Sequence, residues 1–211
     1  MRQFAIALLV ASAVQMCGSA RAEQALVDFA GYNTGGAEVR TLGWEFTLSQ
    51  SVVVTHLGLW DYGADGLNHS HLVTIWSTGT VKTRLVEGTV PSGGAPGSAW
   101  RWVTVTPTTL APGTYRIGAV YPIGGANPDP SVHDRIAGFA DTVTTSGPVA
   151  YVRNVYVNST NYPSSTFAPE EKGYFGPNFQ FQNLVPEPGL VQLPVLIVLS
   201  GASLWFRRRQ R

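Results

Sequence analysis

Thr41-Leu42-Gly43-Trp44-Glu45-Phe46-Thr47-Leu48 is apolar at every second position. Successive side chains of an extended chain point to opposite sides, so Leu42, Trp44, Phe46 and Leu48 share one face. Thr41, Gly43, Glu45 and Thr47 share the other. That period of two, with one apolar and one mixed face, is what an antiparallel sheet with one buried side demands. Outward from it the pattern repeats. Val53, Thr55, Leu57 and Leu59 form the next alternating run; Val73 and Ile75 oppose Thr74 and Trp76; Val103 and Val105 oppose Thr104 and Thr106. Tyr115, Ile117, Ala119 and Tyr121 alternate with Arg116, Gly118 and Val120, and further strand-like runs cover Val149 to Val157 and Tyr174 to Phe181.

Turn chemistry separates these runs. Ser92-Gly93-Gly94-Ala95-Pro96-Gly97 and Ala111-Pro112-Gly113 are breaks, and Gly124 to Pro130 reads as loop. Long stretches of 3.6-residue period are absent. The reading is therefore an all-β chain, an antiparallel β-sandwich of jelly-roll type. Lys82, Arg84 and Arg153 are placed where charge would discourage edge-to-edge pairing.

The strand-bearing region, residues 23–184, has the size of one domain. It holds 8 basic and 12 acidic residues, a net charge of −4, although the whole chain is at +1. The remaining basic residues lie at the two ends. An acidic, lightly charged domain lacks the clustered basic face that phosphate neutralisation needs, so nucleic acid is not an expected partner.

Residues 1–22 read as a secretory signal peptide: Arg2, an apolar run from Phe4 to Val14, and small residues in Ala20-Arg21-Ala22. Cleavage after Ala22 removes Cys17, the only cysteine, leaving a domain without thiols or disulfides. At the other end Val185-Pro186-Glu187-Pro188-Gly189 precedes an apolar stretch from Leu190 to Phe206. Arg207-Arg208-Arg209-Gln210-Arg211 follows. The stretch is 17 residues long, at the lower limit for one transmembrane helix, with Gln192 and Pro194 near its start, and the arginines place its end in the cytoplasm.

This three-part tail, residues 185–211, resembles the PEP-CTERM sorting signal. The resemblance implies that Val185, Pro186, Glu187 and Pro188 are the recognised motif, with Arg207, Arg208, Arg209 and Arg211 as its cytoplasmic cluster. It also implies an exosortase-type processing protease as partner and a setting of extracellular polysaccharide at a bacterial cell surface or matrix. Leu57-Gly58-Leu59-Trp60-Asp61, Gly66-Leu67, Ser70-His71, Val73, Ile75-Trp76, Trp100-Arg101-Trp102 and Leu110 to Gly118 resemble a β-sandwich domain of uncharacterised exported bacterial proteins, across about residues 40 to 122. That second resemblance implies a fold and a setting, and no catalytic residues.

The densest polar cluster runs from Trp60 to His71. Asp61, Asp65 and Asn68, on a loop turned by Gly63 and Gly66, make the beginning of a calcium site, since Ca²⁺ takes six to eight oxygens. A solvated Asx-turn loop is the alternative reading. His69 and His71, two apart, would face one way on a strand and offer two nitrogens to a transition metal. A GxSxG elbow and an HExxH motif are both missing, and the acids are scattered, so no enzyme is expected. The aromatics carry the better case. Trp60, Trp76 and Trp102 lead a set whose amphipathic rings stack on sugar faces when exposed, against a core-packing role when buried. The expectation is a non-catalytic, exported, membrane-tethered surface or matrix protein that binds polysaccharide, with a purely structural or adhesive protein as the alternative and a polysaccharide hydrolase as the third reading.

Overall fold

A computed structural model describes residues 22–30, 33–35, 40–121, 136–138, 142–166, 173 and 175–184. The signal-peptide run, the Gly124 to Pro130 segment and the whole 185–211 tail lie outside these residues. Among the described residues there is no helix long and apolar enough to cross a membrane.

Thirteen strands are described, in antiparallel pairings. They are β1 (Glu23–Gln24), β2 (Leu26–Ala30), β3 (Asn33–Gly35), β4 (Arg40–Leu48), β5 (Val52–Trp60), β6 (His71–Ser77) and β7 (Arg84–Val90). Then come β8 (Trp100–Leu110), β9 (Gly113–Tyr121), β10 (Ile136–Gly138), β11 (Thr142–Thr145), β12 (Val149–Val157) and β13 (Pro177–Asn183). One sheet has the order β12-β4-β9-β6-β7 and the other β1-β13-β5-β8; β3 pairs with β10, and β2 with β11. The all-β antiparallel reading holds, in an arrangement consistent with a β-sandwich.

The two larger sheets meet through aromatic side chains. Trp44 and Phe46 of β4 lie 6.3 and 4.9 Å from the Phe179 ring of β13, centroid to centroid. Leu42, Trp44, Phe46 and Leu48 are all buried, as their alternation predicts. The Trp44 indole N–H donates to the Pro177 carbonyl at 2.9 Å, so this large ring enters the core with its one polar atom satisfied.

The other face of β4 differs from the expectation of a half-wet sheet. Thr41 and Glu45 are buried as well. The chain after β12 folds back over this outer face, where Tyr156 and Ser165 exchange backbone hydrogen bonds at 2.9 Å and Thr41 donates to the Ser159 carbonyl. A rung of paired residues runs beneath this strap across all five strands: Arg153, Glu45, Arg116, Trp76 and Arg84. Glu45 accepts from Arg116 Nε at 2.7 Å and lies 3.0 Å from Arg153 Nε, which keeps a nearly buried carboxylate paired. Arg84 and Arg153 stand on the two edge strands, β7 and β12.

A second departure lies in β5. The expected face of Val53, Thr55, Leu57 and Leu59 is broken, because the fully buried residues are Val52, Val54, Leu57 and Leu59. The register slips between Val54 and His56, where Thr55 is an extra residue against β13. A bulge reverses which face each side chain takes, so parity changes at that point. Opposite it, the slip in β8 spans Val105, Thr106 and Pro107. Proline has no N–H for a ladder, and β8 is an edge strand, which is where proline is tolerated.

The β8–β9 corner is closed by Tyr115. Its hydroxyl donates to the Ala111 carbonyl at 2.7 Å, four residues back, the arrangement known as a tyrosine corner.

Candidate functional site

Where β5 ends and β8 begins, the loops at 61–70 and 91–99 close over one end of the two sheets. Asp61 is 2% exposed. Its Oδ2 accepts from Arg101 Nε at 2.6 Å and from the Gly66 N–H at 3.0 Å. Arg101 Nη2 lies 2.5 Å from the same oxygen, and Nη1 donates to the Ala95 carbonyl. Leu67 and Gly93 exchange backbone hydrogen bonds, so the two loops are braced twice. Gly94, at φ +114°, leaves the space that the guanidinium fills: a Cβ there would stand 2.8 Å from Nη1.

This geometry does not fit Asp61, Asp65 and Asn68 as a calcium set. The positive charge that Ca²⁺ would bring to Asp61 is supplied by Arg101 from within the chain, and Asp65 and Asn68 are exposed while Asp61 is buried. Nor do the histidines share a face. His69 is exposed and precedes β6, whereas His71 is fully buried with Nδ1 2.9 Å from the Val120 carbonyl and its ring 5.0 Å from Tyr121. A carbonyl only accepts, so Nδ1 carries the proton and is not available to a metal. Among the described residues no group of three or more His, Cys, Asp or Glu is placed to hold a metal ion.

The tryptophans named from sequence fall in three different environments. Trp76, on the outer face of the five-stranded sheet, is only 3% exposed. Its edge lies against Gly118, and the strap residue Tyr162 meets it edge-on at 6.1 Å. Tyr162 is itself held between Arg116 and Lys82, 5.1 and 5.2 Å from its ring centre. Partial burial against the sheet raises the Tyr162 hydroxyl pKa, with Arg116 opposing and Glu45 adding to the rise. A buried indole is no stacking platform, so of the two readings left open for Trp76 the structure takes the packing role over sugar stacking. Trp60, at 7% exposure, is likewise covered, by Phe29 at 5.3 Å and Tyr62 at 5.5 Å.

Trp102 is different. It is half-buried on the outer face of the four-stranded sheet and pairs across to Gly58 of β5. A Cβ on Gly58 would stand 2.3 Å from the indole ring, so only glycine lets the ring settle this far over the neighbouring strand. Trp100, two residues back on the same face, lies near-parallel to Trp102 at 5.7 Å. Phe29 of β2 meets Trp100 edge-on at 6.4 Å and stacks on Phe175 at 5.5 Å. The indole of Trp102 is thus the outer end of an aromatic row rooted in the core. The next rung on this face is Thr104, His56 and Gln180, paired across β8, β5 and β13 and all at least partly exposed.

Trp100, Arg101 and Gly58 acquire their roles only here. The Trp-Arg-Trp spacing does carry a signal, since period two sends both indoles one way and the guanidinium the other. The seat at Gly58 has no such signal, because it depends on which strand lies next to β8.

No protein-family model, curated protein or solved structure matches this chain.

Proposed function

We propose that this chain is an exported, membrane-tethered, non-catalytic surface or matrix protein whose sandwich domain binds polysaccharide. The observation that carries the binding is Trp102, seated on Gly58 beside the rung of Thr104, His56 and Gln180. An indole on a flat sheet face offers an apolar surface to the C–H face of a sugar ring. A neighbouring hydroxyl, imidazole and amide supply donors and acceptors for its hydroxyls. The rigid support of Trp100 and Phe29 keeps the ring in place, which lowers the entropy lost on binding.

The targeting part of the reading rests on residues 1–22 and 185–211 of the sequence. On that reading the chain is exported, held by a single apolar helix, and processed near Pro186 by an exosortase-type protease. The finer fold reading is a jelly roll. Its support is the nesting of β4 with β9, β5 with β8 and β6 with β7, as a ribbon folded about the β6–β7 turn.

The test is retention of residues 23–184 on a panel of insoluble and soluble polysaccharides, wild type against Trp102→Ala and Trp76→Ala. Binding that is lost in the first variant and kept in a folded second variant supports the reading. Absence of retention on every polysaccharide would move the assignment to a structural or adhesive surface protein.

A further inference from the structure

We infer that the domain stands on the membrane with a fixed polarity, its turns at 49–51, 78–83, 111–112 and 146–148 facing the bilayer and its 61–70 and 91–99 loops facing away. The inference rests on the tethered reading above, for the chain before any cut near Pro186, and adds to it the direction of one strand.

β13 is the strand from which the chain leaves for the apolar stretch Leu190 to Phe206, and it runs from Pro177 to Asn183. Register fixes what lies at each of its ends. Asn183 pairs with Val52 and Val52 with Leu110, so the start of β5 and the end of β8 lie at the exit end. Pro177 pairs with Leu59, Leu59 with Arg101 and Trp60 with Trp100, so the braced loops and the root of the aromatic row lie at the other. On the companion sheet Leu48 pairs with Gly113 and with Val149, and Ser77 with Tyr115, which brings the remaining turns to the exit end.

The exit itself is clamped. Asn183 accepts from Gln50 Nε2 at 3.0 Å and donates to Glu23 Oε1 at 2.8 Å, while Ser146 donates to Glu23 Oε2 at 2.8 Å. Glu23 is the first residue after the expected cleavage point, so the new N-terminus and the last strand close on each other at one end. Pairing therefore persists to Asn183, and the six residues from Leu184 to Gly189 reach at most about 20 Å. β13 adds a further ~20 Å between the exit end and the far loops.

Two of the exposed apolar side chains lie at the exit end, while Tyr62 is exposed on the far 61–70 loop. Val81, in the 78–83 turn, is the most exposed large hydrophobic among the described residues, and Leu184 is exposed at the same end. Lys82 follows Val81. Val81 gives this turn an apolar tip suited to a bilayer boundary, beside a Lys82 ammonium held by the Thr78 and Gly79 carbonyls. The proposed polarity turns Trp100 and Trp102 toward the extracellular polymer.

The full chain, freed of its signal peptide and reconstituted in anionic vesicles, tests this with one fluorophore at Ala111→Cys or at Ala95→Cys. Both positions are exposed, one at each end. Lipids carrying a headgroup quencher are expected to dim the Ala111 label and leave the Ala95 label unchanged. Equal quenching of both, or stronger quenching at Ala95, overturns the polarity while leaving the tether intact. Failure of the chain to float with the vesicles overturns the tether, and the polarity with it.

Discussion

At position 61 the carboxylate serves the loop fold. Removing it leaves Arg101, whose side chain is 12% exposed, without its partner. Asp61→Ala is therefore expected to lower stability by about 3 kcal/mol, the cost of stranding one half of a buried pair, measured as a shift of the urea midpoint. Wild-type melting with and without a chelator is expected to coincide; a lower melting temperature with chelator would return the loop to metal binding. Tyr151 gives a second test at this scale. Burial against Trp44 and Phe175 pushes its hydroxyl up to about 12, with the Gly173 N–H and Arg153 pulling the other way. The folded state holds this proton more tightly than the unfolded chain does, whose tyrosines titrate near 10. Its contribution is whole below pH 10 and fades as pH rises toward 12. Tyr151→Phe should flatten the fall in stability across that window, and a variant with the wild-type alkaline slope would refute the assignment.

The elements show where alternation is enough and where it is not. β4 and β9 keep one register along their length, and their core residues are those of the simple period. β5 does not, because a slip at Thr55 exchanges its faces, and no local residue announces it. The strap at 158–166 is a second such case. Its residues read as an unremarkable polar loop, yet they bury Trp76 and Thr41. Tyr162→Ala should uncover the indole, which would appear as a red-shifted emission more open to acrylamide, with the fold retained. Unchanged emission would mean that the sheet alone shields Trp76. The corner at Tyr115 was visible as a Pro-Gly turn followed by tyrosine, though the hydrogen bond to Ala111 was not. Tyr115→Phe is expected to cost about 1 kcal/mol in denaturant unfolding, the usual worth of one such bond.

Across the whole molecule the first and last described strands meet. The clasp of Glu23 with Asn183 and Ser146 ties the first strand to the last, so its loss should act on global stability and not only on fraying. Glu23→Ala is expected to lower the unfolding free energy by about 1–2 kcal/mol, for two partly buried hydrogen bonds to a charged group. A wild-type urea midpoint would show that the end opens freely. The alternation around Trp44 and the Gly/Pro breaks determined an all-β domain with a dominant antiparallel pattern. The same sequence also marked the aromatic residues as the ones to examine. Those signals are local, carried by neighbours two to four residues apart. Which tryptophan is buried, which carboxylate already has its cation, and which glycine seats an indole were decided by pairings between residues 40 to 160 positions apart. Asp61 with Arg101, Gly58 with Trp102 and Glu23 with Asn183 are all of that kind. Solvent exposure and charge neutralisation are properties of such pairings, so they exist only once the sheets have closed.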